Sequence, residues 1–185
     1  MITPISRFSF CLFSILLAFS SCKNKTDYSK EISLLDSAVV KLKEAETFFL
    51  SADTGSLRSV YDFSQEKLKM ISEKIAKDTV KKKTAVVVSD AYQQSGNIRN
   101  LLDNKKYLER AIKESQQRIS DLKHDLTEDF IEKNKSTEYI LNEMNASQKI
   151  YETIRKAIEK AKASATKLDS LKTQISFIAD SLKSK

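Results

Sequence analysis

Proline is nearly absent from this 185-residue chain, and Pro4 is the only one. Glycine occurs twice (Gly55 and Gly96), cysteine twice (Cys11 and Cys22), histidine once (His124) and tryptophan not at all. Each shortage excludes something. Sandwiches and barrels reverse direction every ten residues or so and draw on far more glycine and proline than this. Two cysteines, one of them inside an apolar run, supply no disulfide framework. A lone histidine with no cysteine nearby cannot assemble a zinc site. There is no glycine-rich phosphate loop, serine-nucleophile motif or pair of catalytic carboxylates, and few loops on which a site could be built. No catalytic residue, metal ligand or dissociable cofactor is therefore assigned, and an enzyme is not expected.

What is present is charge and aliphatic side chain. Charged residues make up 31% of the chain, with 32 lysines and arginines against 25 acids and a formal net charge of +7. An excess that small suggests mild attraction to anionic surfaces without calling for nucleic acid, and a solvated lysine-rich helix surface accounts for it.

The first residues have the parts of an export signal. Arg7 is the only charged side chain before Lys23, Phe8 to Phe19 is apolar apart from Ser9 and Ser14, and Phe19-Ser20-Ser21-Cys22 closes the run. The core is too short to cross roughly 30 Å of hydrocarbon as a stable helix. An ordinary signal peptide with an incidental cysteine, or a buried apolar helix, is the plainer reading. The segment resembles the lipobox of bacterial lipoproteins, with Phe19 where leucine is usual. The resemblance covers residues 1–22 and implies removal of 1–21, a covalent lipid on Cys22 and stable anchoring by several acyl chains. The remaining 164 residues would contain no proline and a single, lipid-blocked thiol. Residues 22–28 then read as a lipidated cysteine and polar tether, and 29–185 as the folded domain. Lys23-Asn24-Lys25 lacks the acids that route some lipoproteins to the cell surface, which favours an outer-membrane protein facing the periplasm.

Beyond the tether the apolar residues recur at spacings of three and four. Ile32, Leu35, Val39, Leu42, Ala45 and Phe49 predict a first helix with Ser29 as N-cap, closed by a left-handed Gly55. Ser56 would cap a second: Leu57, Tyr61, Ser64, Leu68, Ile71, Ile75. The frame slips near Asp78-Thr79, and Ser95-Gly96-Asn97 supplies the turn chemistry, so the reversal is placed at 95–97. Ile98, Leu101, Leu108, Ile112, Ile119, Leu122 and Leu126 form the cleanest seam for a partner helix, interrupted by Lys105 and Ser115. A break at Asn134-Lys135-Ser136, with Ser136 as N-cap, precedes a last helix from Ile140 to Leu182. Three-residue steps about Leu168 suggest local overwinding. The expected fold is all-α, an elongated antiparallel bundle of four unequal helices with the last projecting. A spectrin-like three-helix bundle, kinked at Gly55 and reversing near Asp78, is the alternative.

His124 falls on the outer face, and Asp125, Glu128, Asp129 and Glu132 form an acidic cluster without the framing of a calcium loop. Lys81-Lys82-Lys83 lies beside Val86-Val87-Val88, which reads first as an exposed triplet next to core positions and second as a membrane contact. The chain is thus expected to be a membrane-anchored structural or binding protein of the bacterial envelope, with an envelope protein or cell-wall component as partner and no nucleic acid. The general plan is similar to periplasmic tentacle chaperones, which carry a β-strand core, and the terminal Lys185 is similar to that of murein-linked lipoproteins. A chaperone or transport accessory, or a wall-associated lipoprotein, is the alternative role.

Overall fold

The computed structural model describes residues 26–75 and 81–183. Cys22, the expected export segment 1–21 and the frame slip at Asp78-Thr79 lie outside them. The fold is all-α: α1 is Ser29–Leu50, α2 Thr54–Ile75, α3 Lys82–Thr127 and α4 Lys133–Lys183, and no described residue is in a strand. At 1.5 Å per residue, α3 and α4 are about 69 and 77 Å long.

The four helices form three rods, the arrangement of the three-helix alternative, because α1 and α2 are not antiparallel neighbours. α1 and α2 do not pack on each other; each packs on α3 and α4. Together they form one interrupted rod. Asp36 pairs with Lys123, Ser64 meets Ser95, and Tyr92 donates to the Leu68 carbonyl. Between the first two contacts both rods advance 28 residues in opposite directions, so the break leaves the register intact. α4 runs parallel to that rod, with Lys133 at Glu31, Lys162 over Phe48 and Lys172 over Phe63. It is antiparallel to α3, with Glu143 at Arg118 and Ser164 at Asn97.

The break has a core-packing cause. Tyr28, Leu35, Leu42 and Phe49 are buried at heptad spacing, and so are Leu57, Ser64 and Ile71. The step from Phe49 to Leu57 is eight residues, and the interruption takes up the extra one. Ser51 N–H closes α1 on the Thr47 carbonyl, and Asp53 caps α2 by accepting from Ser56 N–H at 2.9 Å. The expected left-handed Gly55 is not found: no described glycine has positive φ, and Gly55 lies within the first turn of α2. Asp53, not Ser56, is the cap.

The turn placed at 95–97 is also corrected, because α3 runs unbroken through it. Ser95 is fully buried and Gly96 faces open space, so the three residues that resemble a turn continue the apolar frame of Ala91, Ile98 and Leu101. The chain reverses between Ile75 and Lys82 instead. The next break falls at 128–132, not 134–136. Asp129 at φ 59° follows α3, with Phe130 N–H on the Asp125 carbonyl and Asp129 N–H on that of Leu126, a left-handed helix closure made without glycine. Ser136 lies inside α4, its hydroxyl on the Lys133 carbonyl.

Two expectations about α4 change as well. Its buried positions run Ile158, Ala161, Ser164, Leu168 and Leu171, with Ser164 deeper than the partly buried Ala165, so the consecutive three-residue steps fall about Ala161 and not about Leu168. Nor does it project, since Ile175 and Ala179 near its end are 1% exposed.

Gly96 gives the sharpest test of the unbroken α3. A Cβ there meets no atom within 4 Å, and glycine costs a helix interior roughly 0.5–1 kcal/mol relative to alanine. Gly96→Ala should raise stability by about that amount in urea titration, whereas a turn at this site would make the same change destabilising.

Candidate functional site

The apolar seam of α3 is consumed within the chain. Ile98, Leu101, Leu108, Ile112, Ile119, Leu122 and Leu126 are all buried, none more than 9% exposed. Their partners are α1, α2 and α4 of the same molecule, so contacts with another protein must use other faces. Lys105, which interrupts the seam, is half-buried at its edge, and Ser115 is wholly inside.

Buried serines organise the middle of this core. The Ser64 and Ser95 hydroxyls lie 3.1 Å apart, and Ser95 accepts from Gln65 Nε2 at 2.6 Å. On the other side of α3, Ser164 accepts from Asn97 Nδ2 and donates to Gln94 Oε1, while Gln94 donates to Asp90, which pairs with Lys167. The two groups tie α3 to α2 and to α4 at one level, and a polar layer of this kind penalises any slip of register. Ser115 is different: its hydroxyl is buried and has no hydrogen-bond partner among the described residues. Ser95→Ala should therefore cost about 1–2 kcal/mol by stranding the Gln65 amide, while Ser115→Ala should be neutral or stabilising by a similar amount. Chemical denaturation of the two variants reads the difference.

The charged features identified in the sequence sit at opposite ends of the rod. At one end, where α1 begins, α3 closes and α4 begins, Tyr28 is buried and its hydroxyl donates to the Ile131 carbonyl. Lys133 Nζ reaches the Glu31 carboxylate at 2.5 Å and the Asp27 carbonyl at 2.8 Å, and lies over the Tyr28 ring. Contacts of the fold thus begin at Asp27, two residues before the folded domain was expected to start. Asp27 also performs the capping assigned to Ser29, accepting from its N–H at 2.9 Å. Tyr28 could have been found by extending the Leu35–Leu42–Phe49 heptad one step back.

Around this latch lie half-buried Asp125 and exposed Glu128, Asp129 and Glu132. His124 is exposed, as expected, its ring edge-on to Phe130 at 6.2 Å. No three His, Cys, Asp or Glu side chains among the described residues are placed to hold a metal ion.

At the other end, Lys81, Lys82 and Lys83 open α3, all exposed and none in an ion pair with a described residue. Val86 is 61% and Phe177 74% exposed beside them. A groove of about 510 Å³ between α3 and α4 is lined by Lys83, Thr84, Val87, Gln174, Phe177 and Ile178. Phe177 was missed in the sequence; its signal is an aromatic side chain between the core positions Ile175 and Ile178 but off their frame.

Comparison with known proteins identifies no relative: no protein family, no curated protein and no solved structure matches this chain.

The latch is sensitive to acid. The hydrogen bond from Lys133 holds the Glu31 carboxyl below its usual 4.5, and the Ser29 hydroxyl and N–H hold Asp27 below 3.8. A carboxyl lowered by folding contributes stability that is complete above its ordinary value and is lost as pH falls through the lowered one. Amide exchange at residues 28–32 should therefore accelerate as pH drops below 4.5, relative to the middle of α3, once the intrinsic rate is corrected. Glu31→Gln should open the same amides at neutral pH and flatten the acid dependence.

Proposed function

We propose that this chain is a membrane-anchored helical lipoprotein of the bacterial cell envelope, held by lipid on Cys22 at the outer membrane and facing the periplasm, where it acts as a structural and binding protein and not as an enzyme. The reading is carried by Phe19-Ser20-Ser21-Cys22 taken with the start of the fold at Asp27. Only Lys23 to Thr26 lie between the two, a reach of about 18 Å when extended. Such a tether sets the acidic end of the rod against the anchoring membrane and points the lysine end away from it. No helix among the described residues is long and apolar enough to cross a bilayer, so attachment in this reading depends on the lipid.

Because the seam of α3 is already occupied, an envelope partner or cell-wall component would meet exposed faces and ends. Cys22→Ala should abolish labelling by a palmitate analogue and move the protein out of the membrane fraction. Crosslinking in cells from His124 and Lys156, both exposed, should capture the partner in the wild type and lose it in the variant. Retention of both label and membrane association by Cys22→Ala would overturn the proposal.

A further inference from the structure

We infer that the lysine end of the rod is a docking surface for an anionic lipid bilayer. The proposal goes beyond the lipoprotein reading and does not need it, since it concerns the end farthest from Cys22. Two observations combine there. Lys81, Lys82 and Lys83 project from the start of α3 with no described acid paired to them, and exposed Lys74 at the end of α2 adds to the same end. Among the described residues Glu73 and Asp180 are the acids at this end, against Lys74, Lys81, Lys82 and Lys83, so the described balance is basic.

The second observation is apolar. Phe177, 74% exposed, lines the 510 Å³ groove together with Val87 and Ile178, and Val86, 61% exposed, adds an apolar side chain one turn beyond Lys82 and Lys83, outside the groove lining. Core packing does not require Phe177, which lies off the buried frame of Ile175 and Ala179. A cluster of lysines alone would suit any polyanion. Lysines around an exposed aromatic ring and an aliphatic groove suit a surface that is anionic at the headgroups and apolar beneath them. Each lysine near such a surface raises partitioning about fivefold, so the three together contribute about a hundredfold.

The geometry then has a consequence. From Ser29 to Ile75 the rod is about 70 Å long at 1.5 Å per residue. A chain anchored through Cys22 and docked through this tip either spans two bilayers at roughly that separation or lies along one. That choice rests on the lipoprotein reading; the docking itself does not.

The absence of tryptophan makes the tip directly observable. In the full chain, Phe177→Trp places the only indole at this surface. With phosphatidylglycerol vesicles its emission should shift to the blue and be quenched by brominated acyl chains, and with phosphatidylcholine vesicles it should not. Adding Lys81→Gln, Lys82→Gln and Lys83→Gln should weaken the response about a hundredfold while circular dichroism stays helical, and high salt should weaken it in the unsubstituted triplet. No shift with phosphatidylglycerol, or an equal shift with both lipids, overturns the proposal. So does a shift produced by a soluble polyanion such as heparin but not by the vesicles. Attachment through the opposite end leaves the indole at position 177 in water, so failure of the tip and failure of the Cys22 anchor are read separately.

Discussion

Two helices of 46 and 51 residues, each with an apolar stripe along its whole length, set the terms for the rest of this molecule. Packed on each other they still leave a trough some 70 Å long that must be kept from water. The remaining segments, α1 and α2, have only 22 residues each, and neither can cover the trough alone. End to end they can. This is why a break that locally resembles a hairpin does not reverse the chain: folding α2 back on α1 would bare half of the α3–α4 core. The extra residue between Phe49 and Leu57 would throw a continuous helix out of register. The short connection at 51–53, closed by Ser51 and capped by Asp53, restores it.

A trough covered by helices alone is tolerant of sliding, because one aliphatic layer resembles the next. The buried serines supply what is missing. Ser64, Ser95 and Ser164, with Gln65, Gln94 and Asn97, satisfy one another only at a single alignment of α2, α3 and α4. A shift by one turn would bury these groups without partners, at a cost of about 1–3 kcal/mol for each. At the end of the rod the Tyr28–Lys133–Glu31 latch does the same for α1 against α4.

Much of this was legible in the sequence, and the limits have identifiable causes. The helical class and the core membership of all seven seam residues follow from apolar spacing, a signal summed over many positions. The errors are at breaks, where one or two residues decide. Ser95-Gly96-Asn97 has turn chemistry, but its serine finds partners inside the core and its glycine needs no special conformation, so the longer apolar frame prevails. Asp129 carries little turn signal, yet it adopts the left-handed conformation that ends α3. Whether the chain turns back or runs on after Leu50 is not local information at all. It depends on the lengths of α3 and α4, which the misplaced break at 95–97 had shortened and so concealed. Of the candidate sites, the lysine triplet was visible and its aromatic neighbour was not, because Phe177 comes close only through the pairing of α4 with α3.

The charge distribution along the rod follows from the same topology. Taken alone, α3 looks electrostatically inverted, with lysines at its N-terminus and carboxylates at its C-terminus, each opposing its macrodipole. The bundle reverses that judgement. At the acidic end α1 and α4 both present N-termini, and only α3 a C-terminus; at the lysine end α2 and α4 present C-termini against one N-terminus. Two dipoles outweigh one at each end, so carboxylates are favoured where α1 begins and lysines where α2 ends. Polarisation of charge is therefore compatible with stability and needs no partner to explain it. Exposure of Phe177 and Val86 is another matter, since no dipole favours an aromatic ring in water and the core is complete without them. It is this apolar pair, set among lysines that the helix ends already tolerate, that separates a surface for lipid from a merely basic tip.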